Sequence, residues 1–181
     1  MVRKMYSERS RAKLITILIA VMLFGICRVV ADTVWTSGHH VILDGDLYSE
    51  IWMYNDSRVT MFGGDVFKLE AFDVTLVDIL SGELTDLRLH DNSIGDLYGG
   101  VLDRLGIVEN GLLNLYAYDV TYYETGGHYD RGWIEGRYLG SDLYFSFDFV
   151  EPDTFSHITV IPEPGTFLLV CLGCMLVRRR Y

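Results

Sequence analysis

Cysteine is confined to the two ends of this 181-residue chain. Cys27, Cys171 and Cys174 lie in apolar terminal segments, and residues 32–161 contain none. A disulfide framework or a thiolate metal site in that body is thereby excluded. Cys171 and Cys174 have the spacing of a redox or zinc pair, but they stand in a Leu/Val run without partner ligands, where small apolar filling is the expected role. Basic residues are also scarce. The body carries six Lys/Arg against 23 Asp/Glu, leaving it 17 negative, and the other cations sit at the two ends. Such a surface repels phosphate backbones, which argues against nucleic acid as a partner. Apolar runs of about 20 residues, the length of a spanning helix, are missing too. So are a nucleophile elbow and a glycine-rich phosphate loop.

What the chain does have is a period. Gly64, Gly82 and Gly100 repeat every 18 residues, as do Ile51, Leu69, Leu87 and Leu105, and Met61, Ile79, Leu97 and Leu115. A polar column keeps the same step: Asn55, Asp73, Asp91, Glu109. Each unit reads as two short alternating strands, broken by an Asp/Asn turn and closed by Gly-Gly or Ser-Gly. A unit this short cannot bury its own apolar face, but stacked units can, so the period predicts a solenoid. The predicted fold is all-β: a small parallel β-solenoid of about five 18-residue coils over residues 32–128. Four are regular (47–64, 65–82, 83–100, 101–118). A degenerate one precedes them, with Val41, Leu43 and Gly45 set in register with Val59, Met61 and Gly63. Gly95 interrupts the Val59/Val77/Leu113 column and predicts a small void or bulge. The rhythm breaks after Ala117-Tyr118, where Asp119–Thr125 reads as an extra strand or loop. Residues 129–161 read as a β-rich cap and linker, with an aromatic-dense antiparallel hairpin between Trp133 and Phe149 closing the solenoid's end.

The ends have their own logic. Residues 1–31 combine an Arg/Lys-rich start, an apolar run of about 14 residues from Leu14 and a Val29-Val30-Ala31 triplet, which is the build of a secretory signal peptide cleaved after Ala31. Residues 162–181 open with Pro162-Glu163-Pro164, continue through an apolar segment from Thr166 to Val177, expected as a short transmembrane helix, and close on Arg178-Arg179-Arg180, which favours the cytoplasmic side. These three parts in this order resemble the PEP-CTERM sorting signal. The repeated body also looks like passenger domains of that family. The resemblance implies recognition by exosortase, a membrane protease-transpeptidase, at Pro162, Glu163 and Pro164. It makes Arg178, Arg179 and Arg180 the membrane stop, and it implies an inner-membrane intermediate, then a place at the cell surface or outside the cell, in association with exopolysaccharide.

Chemistry in the body is sparse. His39-His40 is the one histidine cluster, and turn histidines are the expectation there. No catalytic residue, metal ligand or cofactor is assigned. Asn55, Asp73, Asp91 and Glu109 should stack about 4.8 Å apart, the spacing of paired strands. Asp78, Asp96 and Asn114 form a second outward column. Like charges at that spacing repel unless a cation or water intervenes, and calcium takes such oxygens. Solvated turns remain the leading expectation. Tyr54, Phe72, Tyr98 and Tyr116 are expected to pack, though exposed rings can stack on sugars. The functional expectation is an exported, non-enzymatic surface or matrix protein. A carbohydrate-active β-helix enzyme and a calcium-dependent adhesin are the alternatives.

Overall fold

The computed structural model describes residues 31–162. The segments expected as signal peptide and apolar helix, with Glu163, Pro164 and the Arg178–Arg180 cluster, lie outside the described residues. Eleven strands follow in order: β1 (Ala31–Trp35), β2 (His39–Ile42), β3 (Leu47–Met53), β4 (Arg58–Ala71), β5 (Leu76–Leu89), β6 (Ile94–Leu97), β7 (Val101–Ile107), β8 (Leu112–Tyr123), β9 (Trp133–Tyr138), β10 (Tyr144–Phe149) and β11 (Ile158–Ile161). The fold is a parallel β-solenoid of about five turns, as the 18-residue period requires.

Each coil contributes one strand to each of two parallel ladders. The first ladder, here sheet A, runs β1, β3, the second half of β4, the second half of β5, and β7. Sheet B runs β2, the first half of β4, the first half of β5, β6 and β8. Register keeps the 18-residue step: Ile51 pairs Leu69, Leu69 pairs Leu87 and Leu87 pairs Leu105, while Met61, Ile79, Leu97 and Leu115 pair in turn. Every one of these side chains is buried in the single apolar core between the sheets. Alternation sends their neighbours outward.

The first coil departs from the expected register. His40, not Val41, pairs with Val59, and Ile42, not Leu43, pairs with Met61. Ile42 is fully buried, whereas Val41 and Leu43 are about half exposed (45% and 54%). The reason is a shorter corner. Trp35 reaches β2 through Thr36-Ser37-Gly38, while Met53 reaches β4 through the four residues Tyr54–Ser57. With a two-residue side-chain period, one missing residue turns the whole strand over. His40 and Trp35 then lie on the core side, stacked on one another with ring centroids 4.2 Å apart. Gly95 leaves no void either: a Cβ there would meet Leu113 Cδ1 at 2.9 Å and Leu89 Cδ1 at 3.1 Å, so those two leucines occupy the space.

The far end is closed by an inserted hairpin. Residues 119–123 continue β8 rather than leaving it, β9 pairs antiparallel with that extension, and β10 pairs antiparallel with β9. Tyr138, Phe145, Phe147 and Phe149 bring a dense aromatic plug. The chain then rejoins the solenoid. The end of β10 pairs parallel with β7 (Asp148 with Arg104, Phe149 with Leu105), and β11 pairs parallel with β8 (Ile158 with Leu113). Residues 148–161, expected as part of the β-rich cap and linker, therefore lay one more strand on each sheet, the end of β10 on sheet A and β11 on sheet B. A 3-10 turn, Thr154–His157, joins them. Here side chains stand in for a stacked corner: Ile107 N–H donates to Thr154 Oγ1 (3.3 Å), and the His157 imidazole lies 3.0 Å from the Gly111 carbonyl.

One group in the cap is left unsatisfied. The Tyr138 hydroxyl is buried without a hydrogen-bond partner, and burial pushes its pKa far up. A raised folded value means its contribution is intact below the unfolded phenol range and is lost as pH rises through that range, from about pH 10. Tyr138→Phe removes the orphaned hydroxyl without changing the ring. It should stabilise the fold by about 1 kcal/mol and lessen its alkaline sensitivity. Thermal melts at neutral pH and above pH 10 check both.

Candidate functional site

The acidic turn column is the first candidate, and its geometry begins with the backbone. Each corner is a four-residue turn closed by an i to i+3 hydrogen bond: Ser57 N–H to Tyr54 O, Thr75 to Phe72, Ser93 to His90, Gly111 to Val108. The second residue of each is left-handed: Asn55, Asp73, Asp91 and Glu109 have φ of 58°, 58°, 53° and 59°. Asn and Asp tolerate that region better than other non-glycine residues. The same holds elsewhere. Every non-glycine residue with positive φ among the described residues is Asn, Asp or Glu, the others being Asp119, Asp130, Asp142 and Asp153.

The stacked carboxylates do not wait for a cation. Asn55 N–H donates to Asp73 Oδ2 (2.8 Å), and Asp73 N–H donates to Asp91 Oδ2 (3.0 Å). Each acid thus caps the left-handed residue of the coil below. Backbone N–H groups give each of these two carboxylates a donor. At the top of the column Glu109 lies beside Asp91 and interacts with its carboxyl. The Asp73 backbone N–H and then the hydrogen bond from Glu109 hold Asp91 below the usual carboxylate range. Glu109 is raised, through that same hydrogen bond and the Asp91 charge. The signs oppose. Asp91's contribution is present above the unfolded carboxylate range and lost as pH falls through its lowered value. Glu109's contribution is present in acid and lost as pH rises through its raised value. At neutral pH two carboxylates therefore face each other. Glu109→Gln supplies a permanent N–H donor to Asp91 and should raise the melting midpoint at pH 7, with the gain vanishing at about pH 4. Equal midpoints at both pH values would mean the pair does not interact.

The second column is also internally engaged. Arg58 Nε and Nη2 reach Asp78 Oδ2 at 2.8 and 2.6 Å, Thr60 Oγ1 donates to the same oxygen at 3.3 Å, and His39 Nε2 lies 2.9 Å from Thr60 Oγ1. Asn114 Nδ2 donates to Asp96 Oδ1 at 2.9 Å. His40 stacks on Trp35 and His90 on Phe72. Among the described residues no group of three or more His, Cys, Asp or Glu side chains is placed to hold a metal ion.

The four rings expected to pack, three half-buried and Tyr98 exposed, are engaged as well. Tyr54, Phe72 and His90 form a stacked column with centroids 5.0 and 4.5 Å apart, and Tyr98 stacks on Tyr116 at 4.0 Å. Sugars stack on ring faces, and here those faces cover neighbouring rungs.

Sheet A carries a column that sequence reasoning missed. Glu50, Lys68, Asp86, Arg104 and Asp148 pair in succession across five rungs, so the sign alternates at every step. Asp86 is 3% exposed and lies between Arg88 (3.3 Å) and Arg104 (3.7 Å). Arg88 and Arg131 both reach Glu151 (3.9 and 3.5 Å), and Arg104 lies over the Phe67 ring. For Glu50, Lys68, Asp86 and Arg104 the signal was available at the same 18-residue step. It is invisible in a net charge.

The geometry defines this chain's class: a capped parallel β-solenoid whose acids and aromatic rings are largely satisfied by neighbouring coils. No protein-family model, curated protein or solved structure matches it. Of the residues expected to form a sorting signal, Pro162 is placed, exposed and directly after β11. Among the described residues no helix is long and apolar enough to cross a membrane.

Proposed function

We propose that this chain is an exported, non-enzymatic cell-surface or extracellular-matrix protein, sorted by an exosortase-type protease through a PEP-CTERM tail and associated with exopolysaccharide. The observation that carries the reading is the order of parts after β11: Pro162-Glu163-Pro164, an apolar segment, then Arg178-Arg179-Arg180. Prolines fix φ near about −65° and donate no backbone hydrogen bond, which favours an extended triplet separate from the apolar segment after it. A protease can bind it as a strand-like peptide. The arginines hold the segment's far end in the cytoplasm until cleavage. The body supports the reading by its chemistry, since its carboxylates and rings serve turns, ion pairs and stacking.

The expected mature protein begins near Asp32, ends near the Pro-Glu-Pro triplet and has lost the arginine cluster. Intact-mass measurement on protein from its native host decides this. A C-terminus still at Tyr181, in a host that makes exosortase, would make the tail a plain anchor. Glu163→Ala should leave the solenoid folded and keep the chain in the membrane fraction.

A further inference from the structure

The two outer faces of the solenoid differ in kind. Sheet A is covered by the alternating charges and their ion pairs. Sheet B is not. Along one side of its outer face lie Phe62, Leu80 and Tyr98, exposed by 51%, 41% and 38%, a register shift setting Phe62 opposite Ser81; along the other run Leu76 and Leu112, with the half-buried Ile94 between them. Between these stripes lies the polar column, where Arg58 neutralises Asp78 and Asn114 holds Asp96. A parallel sheet normally has both faces covered, and here two exposed apolar stripes flank a polar column that is largely paired within the chain.

We propose that the outer face of sheet B is the interface of a homodimer, two copies packing this face against itself. Three observations select a second copy. Tyr98 stacks on Tyr116, so one face of that ring is already covered, and apart from Phe62 the rest of the face is aliphatic, offering few open platforms for a sugar. The body's large negative excess excludes an anionic lipid surface. It would also hold two copies apart on most surfaces. Sheet B is the exception: its outer charges are Arg58, Asp78 and Asp96, two of them paired with each other, while the other acids lie on sheet A, the corners and the cap. Two copies of one sheet share the same twist, so they can pack aligned at about 10 Å, apolar stripe on apolar stripe. A two-fold contact of this kind closes on itself and stops at two.

Size sets the expected strength. Strands of about five residues at roughly 3.3 Å, stacked at about 4.8 Å across the ladder, give a face on the order of 400 Å² in projection. That is about half of what one partner of a standard interface contributes, so dissociation in the micromolar range is expected.

The test is sedimentation equilibrium of the full chain in a density-matched mild detergent, with far-UV circular dichroism as the check on folding. Wild type should show a monomer–dimer equilibrium. Leu80→Lys combined with Leu112→Lys should weaken it at least about tenfold, because it sets unpaired cations in the interface. Phe62→Ser is the milder second variant should the double lysine fail to fold. Glu83→Lys, exposed on sheet A, should dimerise as wild type does. The proposal is overturned by a wild type that stays monomeric at about 100 µM, far above the expected micromolar dissociation constant. It is equally overturned by sheet B variants that dimerise as tightly as wild type, which would place the contact in the terminal segments, or by growth beyond the dimer.

Discussion

Leu87→Ala is expected to cost the fold about 2–5 kcal/mol. Leu87 is fully buried at mid-solenoid, paired in register with Leu69 below and Leu105 above. Truncation opens a cavity shared by three coils, none of which can collapse into it without breaking the hydrogen-bonded stacking of its strands. Since each coil contacts only its neighbours, stability is close to a sum of coil terms and interface terms, and this change lowers two interfaces together. Leu76→Ala is the comparison. Leu76 begins the same strand, points outward and is 38% exposed, so its loss should stay within about 0.5 kcal/mol. Denaturant unfolding of both variants measures the difference; similar losses would mean that the core column does not hold the coils together.

Gly82→Ala should be as damaging, by about 3 kcal/mol or more, through strain and close backbone approach acting together. Gly82 has φ of 106°, and a Cβ built there would lie 2.5 Å from Met61 Cε, 2.7 Å from the Gly63 carbonyl oxygen and 2.8 Å from the Gly63 carbonyl carbon. The methionine can swing away, but the backbone of the coil below cannot. Gly38 isolates the strain: its φ is 85°, yet a Cβ there meets nothing within 4 Å. Gly38→Ala should therefore cost only about 1 kcal/mol. If the two variants melt alike, close approach is not what selects glycine at this corner.

The period could be read from the sequence because stacking forces it. Ile51, Leu69, Leu87 and Leu105 must recur at one step if their strands are to pair, and Gly64, Gly82 and Gly100 must recur if the corners are to nest. The hairpin was visible for a similar reason, as aromatics with two-residue alternation. The first coil's register was not, because it depends on the length of one corner, and Thr36-Ser37-Gly38 gives no sign that it is one residue short. Nor was the return of β11. Ile158 pairs with Leu113 across 45 residues, which is no multiple of 18, because the hairpin intervenes. The meaning of the acids was also hidden. Seven of the body's 23 acidic residues sit at left-handed positions, where a short polar side chain serves the backbone. Part of the low isoelectric point is therefore a by-product of how the corners turn.

The alternating column Glu50, Lys68, Asp86, Arg104 and Asp148 bears on how the chain finds its own order. Repeated coils with interchangeable apolar columns can pair with the wrong neighbour, a common failure of repeat proteins. Skipping one coil would set Glu50 beside Asp86, or Lys68 beside Arg104, and directly opposed like charges are destabilising. Correct succession always joins opposite signs. The column thus works as a parity check on coil order, rejecting single-coil slips that the leucine ladders alone would accept.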